Sequence, residues 1–341
     1  MTPILKFIAK HVVKEKHLSA DQLIENVLVI DLNYIGDMVM DSPVWRAIYD
    51  NLGIKADAWS YRVSDEALRA NPFVGRRFLS TESFVDQYFR AMELSCLGYD
   101  LVINLSTSLK TNMLAALIGA DLRLGYDYRG RGCFLNMRVP INHRVFHGSY
   151  RPDEVCRLLE RSEFNFWIYD RSLIFNAPGK PKAPKDTAIV AMCTRSTRNL
   201  RMWNGWPKVI DHLIYECGLT VYLAVVPDDI DYARGVIQNV RKDLRHRCVV
   251  LDGSLRDLAW ELSCAKICVT VNTATMHIAI AQQCPTVAVI GGTPPSIVFP
   301  DNDRKFRYVA DPNVKLGKYE PAMHKISPDQ VICLISEVMN A

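Results

Sequence analysis

Residues 27–43 read VLVIDLNYIGDMVMDSP, and the fold turns on how this stretch is parsed. Val27 to Leu32 is a nearly continuous apolar run, as expected of a strand buried on both faces in a parallel sheet. Asn33 to Asp37 is a polar loop whose Gly36 permits a sharp turn, and a helix is expected from about Asp41. The alternation continues outward through IKADAW (54–59), a helix around 65–70, the segment 84–95, DLVINL (100–105) and a helix after Thr107. At NAPGKPKAPKD (176–186) three prolines, a glycine and three lysines break the pattern, which marks an interdomain linker. It restarts with AIVAMC (188–193), LTVYLAVV (219–226), RCVVL (247–251), ICVTV (267–271) and PTVAVI (285–290), interleaved with helical segments.

Strands alternating with helices over short connections give an α/β fold class with two Rossmann-like, doubly wound parallel-sheet domains. The expected boundaries are an extension at 1–26, a first domain at 27–178 and a second at 187–341. The last helix, from about Pro328, either stays with the second domain or packs back on the first. Ligands of such sheets bind at the carboxyl ends of the strands, so function is expected in the strand-to-helix loops facing an interdomain cleft.

A chain of 341 residues suits two domains of roughly 150 to 170 each. Its 49% hydrophobic and 23% charged residues exclude a disordered chain. Lys plus Arg at 41 against Asp plus Glu at 37 gives +4, too small a surplus for a nucleic-acid partner, so any anion site is local. Ten scattered cysteines read as reduced thiols. Cys264 and Cys268, four residues apart, read as one helix face without the second Cys or His pair that zinc requires. No apolar run reaches the length of a membrane-spanning helix and no secretory signal is evident, so a cytoplasmic protein is expected. In the extension, Ile4, Leu5, Ile8, Val12 and Val13 alternate with Lys6, Lys10, Lys14 and Lys16. That pattern reads either as a helix capping the first domain or as one lying peripherally on an anionic membrane.

Three loops carry the candidate chemistry. In the first, Asn33 to Asp37, the glycine spacing of a dinucleotide fingerprint is missing, and no Walker-type phosphate loop occurs in the chain. Asp37 reads as a helix N-terminal cap or as a general base. The second, Thr194 to Trp203, brings hydroxyls and Arg195, Arg198 and Arg201 before a helix with Pro207 near its start. It reads as a phosphate or diphosphate site, or as a solvated basic loop. In the third, Val271 to His277, Asn272 or Thr273 reads as a helix cap and His277 as a structural histidine, or the set reads as ligand contacts.

These loops resemble glycosyltransferase family 9, the heptosyltransferases, which have the GT-B architecture. VLVIDLNYIGDMVMDSP is similar to the family's first strand and Ile-Gly-Asp loop. VTVNTATMHIAIAQQCPTVAVIGGTPP is similar to its Asp-Thr-Gly-x-x-His block, and STRNLRMWNGWPKVI to its Thr-Thr-x-x-x-Lys-x-Trp segment. Asn71-Pro72 and Lys110 also have counterparts, and the resemblance spans residues 27–341. It implies an inverting sugar transferase that takes a nucleotide-diphosphate heptose, typically ADP-linked, as co-substrate rather than cofactor, and a lipopolysaccharide-core or other glycan acceptor. Asp37 would then be the base, and Ser196, Thr197 and Arg201 would hold the diphosphate. Asp229 would meet the ribose, and Asn272, Thr273, Ala274 and His277 would surround the donor sugar and phosphates. Lys110, Arg129 and Arg131, with Arg144, are candidates for acidic groups on a lipid-linked acceptor. No paired carboxylates for magnesium lie beside the second loop, so metal independence is expected.

The chain departs from the family pattern with Asn272 for Asp, Ala274 for Gly, Arg201 for Lys and Pro295 for an acid. Asn keeps an acceptor but loses the charge, Ala adds a methyl group where backbone approaches ligand, and Arg is a fork where Lys is a point charge. A noncatalytic nucleotide-sugar binder, a transferase for another sugar or acceptor, and a nucleotide-sugar epimerase or hydrolase are the competing readings.

Overall fold

The structure is a computed structural model that describes residues 23–142, 145, 148–177, 186–193, 202–300, 304–311 and 323–340. Residues 1–22 of the extension, Arg144, and Arg195, Ser196, Thr197, Arg198 and Arg201 of the second loop lie outside the described residues. The chain divides into two compact units, Met1–Ile174 and Phe175–Ala341.

The first unit holds six parallel strands, β1 (Val27–Asp31), β2 (Asp57–Tyr61), β3 (Arg77–Ser80), β4 (Leu101–Asn104), β5 (Leu122–Tyr128) and β6 (Met137–Ile141), in the order 3-2-1-4-5-6. Every residue of β1 is buried, which is why this strand reads as an apolar run. Leu28, Ile30, Trp59, Val102 and Leu114 pack together in its core. The strand order reverses beside β1: β2 lies on one side of it and β4 on the other.

The helix after β1 departs from expectation. It begins at Ile35, not near Asp41, and runs as α1 (Ile35–Asp41) before α2 (Pro43–Leu52) continues on a new axis. Pro43 has no N–H to continue the ladder, so the chain restarts at Ser42, whose hydroxyl donates to Val39 O and accepts from Ile174 N. Asn71 donates to Ser42 O and accepts from Phe73 N, so this residue braces the joint. The restart puts Asp37 in the first turn of α1 and Asp41 in its last. Helices α3 (Asp65–Arg69), α4 (Phe84–Ser95), α5 (Leu109–Ile118) and α6 (Arg151–Glu160) complete the unit, with α6 packed on α1 and α2.

The second unit repeats the plan. Strands β7 (Thr187–Ala191), β8 (Thr220–Ala224), β9 (Cys248–Leu251), β10 (Ile267–Val271), β11 (Thr286–Ile290) and β12 (Phe306–Ala310) are ordered 12-11-10-7-8-9, so β7 and β10 flank its reversal point. Its helices are α7 (Trp206–Tyr215), α8 (Ile230–Gln238), α9 (Leu255–Cys264), α10 (Ala274–Ala281), α11 (Pro295–Val298) and α12 (Pro328–Met339). Helix α12 packs on α7, β11 and β12. Cys264 ends α9 and Cys268 lies in β10, so the two thiols do not share a helix face; Ala265 is extended and breaks the helix between them.

The segment entering α7 is held by Trp203, whose indole N–H donates to Ile326 O at 2.9 Å and whose ring meets Trp206 edge-on at 4.9 Å. A Cβ on Gly205 would lie 2.2 to 2.6 Å from that indole. Gly205→Ala is expected to lower the stability of the second unit by about 1–3 kcal/mol, because the ring must leave its slot. Urea unfolding with Trp fluorescence measures this; an unchanged midpoint would contradict the packing described.

Candidate active site

The first unit gathers its polar loops along the carboxyl edge of its sheet. Tyr34 O accepts from Met38 N, the first turn of α1. The loop itself is held by Ser64, which donates to Asn33 O at 2.8 Å, and by the Tyr34 hydroxyl, which donates to Glu82 at 2.5 Å. After β4, Asn104 donates to Ser106 O, Thr111 Oγ1 and Asn112 Oδ1, which shapes the turn into α5 and leaves Ser106, Thr107, Ser108 and Lys110 half-buried. After β5, Arg129 and Gly130 both adopt positive φ, and the Arg129 and Arg131 guanidinium groups lie 5.0 and 5.7 Å from the Tyr128 ring. Because β1, β4 and β5 are consecutive in the sheet, the strand ends that lead to Asp37, Lys110 and the two arginines span about 10 Å along the edge, two strand spacings of ~4.8 Å.

Asp37 does not cap its helix. The N-cap position belongs to Tyr34 without a side-chain bond, and the one partner of the Asp37 carboxylate among the described residues is Arg151, at 3.8 Å. The Asp37 side chain is 39% exposed. Beneath it lie two carboxyls that the sequence reading did not single out. Asp41, one turn on, is fully buried and holds Arg151 through Nε at 2.7 Å and Nη2 at 2.5 Å. Asp31, at the end of β1, is also fully buried and accepts from Asn33 Nδ2 at 2.6 Å through Oδ1. Its other oxygen meets no donor; its neighbour is the Asp41 carboxyl, toward which Asp31 would donate if protonated.

Burial, reinforced by the Asp41 charge, pushes the Asp31 carboxyl well above the usual range. Burial also raises Asp41, and Arg151 offsets only part of that rise. For Arg151, burial works against the charge, but Asp41 and Asp37 outweigh it and hold the guanidinium protonated. A charged residue ending a buried apolar strand was the available signal for Asp31. Arg151, 110 residues from Asp41, left none.

In the second unit, the third loop leaves β10 beside β7. Asn272 and His277 are buried, while Thr273, Ala274 and Thr275 are half-buried. Thr273 occupies the N-cap of α10, but its hydroxyl turns toward Val271 O at 3.4 Å and makes no capping bond, so the capping reading fails for this residue. Asp229 is buried at the end of a 3-10 turn that follows β8, at the N-cap of α8. Asp229, Asn272, Thr273, Ala274 and His277 therefore sit at the carboxyl edge of one sheet, after strands β8 and β10, which flank β7. Among the described residues no group of three His, Cys, Asp or Glu side chains could hold a metal ion, and no helix is long and apolar enough to cross a membrane.

A carboxyl with a raised folded-state pKa gives its full stability below its ordinary value of 3.8 and loses it as pH climbs through the folded value, by at most about 1.4 kcal/mol per pH unit. Asp31→Asn keeps an acceptor for Asn33 and a donor toward Asp41 without needing a proton. Its melting temperature is expected to exceed that of the unaltered protein at pH 7–8, with the gap closing toward pH 4. A gap independent of pH in thermal melts would overturn the protonated assignment.

Residues 91–318 match the sequence model of glycosyltransferase family 9 (heptosyltransferase). Among curated proteins none matches the chain in sequence. Among solved structures, the chain is similar to the Escherichia coli ADP-heptose lps heptosyltransferase II, at 16% identity over 93% of this chain and 99% of that one, with a TM-score of 0.73. It is likewise similar to a family 9 glycosyl transferase from Veillonella parvula, at 16% identity over 94% and 99%, with a TM-score of 0.75. The E. coli heptosyltransferase WaaC with ADP is 18% identical over 92% of this chain and 100% of that one, at a TM-score of 0.75. At such identities the likeness establishes the fold, two Rossmann-like α/β units of the GT-B class. With the family match running from α4 past the third loop, the chain belongs to glycosyltransferase family 9.

Proposed function

We propose that the protein is an inverting, metal-independent heptosyltransferase that moves a heptose from ADP-heptose to a lipopolysaccharide-core acceptor, with Asp37 as general base. Glycosyl transfer is the chemistry of the family. The observation that carries the assignment of the base is the exposure of one carboxylate out of three: Asp31 and Asp41 are sealed, and Asp37 alone reaches solvent at the strand-order reversal of the first sheet. The matched stretch begins after Asp37, so this role rests on geometry and on the Ile-Gly-Asp resemblance.

Inverting transfer needs a base to take the proton of the acceptor hydroxyl as the sugar–phosphate bond breaks, and positive groups to receive the charge on the leaving diphosphate. The first unit would receive the acceptor, with Lys110, Arg129 and Arg131 meeting its acidic groups along the same edge as Asp37. The second unit would hold the donor. The N-terminus of α10, without a side-chain cap, would offer N–H groups to a phosphate, Asn272, Thr273, Ala274 and His277 would line that position, and Asp229 would meet ribose hydroxyls. Ser196, Thr197 and Arg201, outside the described residues, would complete the diphosphate contacts between β7 and the Trp203 anchor. The neighbours named for ADP and ADP-heptose support that choice of donor. A cytoplasmic location at the inner membrane face would suit a lipid-linked acceptor.

Asp37→Ala is expected to reduce transfer by about 10²- to 10⁴-fold while ADP affinity, measured by calorimetry, stays within a factor of about two. Equal loss of both, or intact transfer, would sink the assignment. A mass-spectrometric screen of nucleotide sugars tests the donor: ADP-heptose should be consumed only when acceptor is present. Consumption without acceptor would favour hydrolysis, and failure of every ADP- and heptose-linked donor would refute the specific proposal. Activity is expected to survive EDTA; loss restored by magnesium would overturn metal independence.

A further inference from the structure

Asp37 and Asp41 are four residues apart on α1, so both carboxylates point to one helix face and repel each other. Between them lies one guanidinium. Arg151 comes from the first turn of α6, and its side chain is 17% exposed. It offers Nε and Nη2 to the two oxygens of Asp41, the fork-to-fork geometry that fixes a guanidinium in plane, and the same Nε lies 3.8 Å from Asp37 Oδ1. Helix α6 is itself pinned to the sheet, because Tyr126 on β5 donates its hydroxyl to Glu154 O at 2.7 Å.

The other ionisable groups around the cluster are Asp31 at the end of β1, Tyr126 on β5 and Glu154 on α6. Glu154 faces Arg157 and Arg161 at 3.5 and 3.6 Å, so it does not draw on Arg151. Burial and the Asp41 charge push the Asp31 carboxyl up, toward its neutral form. The fork of Arg151 is taken up by Asp41, which leaves the cation able to orient Asp37 without cancelling its charge.

We propose that Arg151, clamped by Asp41, is a positioning residue for Asp37: it selects the one rotamer of the exposed carboxylate that faces an acceptor hydroxyl. This deepens the reading of Asp37 as base and rests on it for the kinetic consequence, while the orienting role stands on geometry alone. Neither Arg151 nor Asp41 touches substrate in this scheme. Replacing Arg151 alone leaves Asp41 buried and unpaired, which endangers folding. The informative protein is therefore the double variant Arg151→Met with Asp41→Asn, which removes the buried pair together.

Two measurements test it. In crystals of the double variant the Asp37 side chain is expected in two or more rotamers, against one in the unaltered protein; a single unchanged rotamer overturns the proposal whatever the enzyme's substrate. With ADP-heptose and inner-core lipopolysaccharide, the double variant is expected to lose about 10- to 100-fold in kcat with the KM for ADP-heptose unchanged. Adding both substitutions to Asp37→Asn should cost nothing further. A rise in KM with kcat intact, or a full additional loss on top of Asp37→Asn, also overturns it. If Asp37→Asn itself retains transfer, the base assignment fails, and the crystallographic result still decides the orienting role.

Discussion

The pair of Arg151 and Asp41 is the interaction on which the polar edge of the first unit's sheet depends. It joins the end of α1 to the start of α6, residues far apart in the chain, with Asp41 fully buried and Arg151 mostly so. Pairs of this kind are weak sources of net stability because both ions lose their hydration, yet losing one partner costs several kcal/mol. Its value here lies in geometry. A guanidinium held in plane by both oxygens of one carboxylate has little freedom left, so whatever else it touches is located too.

The two units reach related architectures by the same means and specialise in their loops. Each sheet reverses strand order beside its first strand, and each places a polar turn at that point. In the first unit the turn carries carboxylates balanced by one cation. In the second it carries uncharged groups, Asn272 and Thr273, at the start of a helix whose N–H groups are not capped by the Thr273 side chain. A base for an incoming hydroxyl and amides for a departing diphosphate are the complementary needs of the transfer proposed above, and family 9 membership supplies the class of that reaction.

Strands buried on both faces, β1, β4, β7, β10 and β11, were legible because continuous apolar runs have few other uses. Four strands nearer the sheet margins were not, although β8 and the edge strand β9 were. β5 reads LRLGYDY, with Arg123 and Asp127 only partly buried, and β6 reads MRVPI, whose Arg138 and Pro140 face outward; β3 and β12 carry exposed residues at the outer edge. The start of α1 was misjudged because no side-chain cap marks it. Tyr34 provides only an extended backbone and a carbonyl.

By itself, the sequence determined the α/β class, the repetition of the plan in two halves and the loops where chemistry belongs. Each of these follows from local apolar periodicity and turn residues, which neighbours in the chain impose on one another. Only the tertiary structure decided which carboxylate is exposed. Asp31, Asp37 and Asp41 are chemically alike and lie within eleven residues of one another. They part company because β1 ends inside the sheet with Asp31 buried, the last turn of α1 is buried with Asp41 while its first turn leaves Asp37 partly exposed, and an arginine from more than a hundred residues away arrives to pair with Asp41. Solvent exposure and ion pairing are properties of packed surfaces, and those surfaces exist only once the helices have been laid on the sheet.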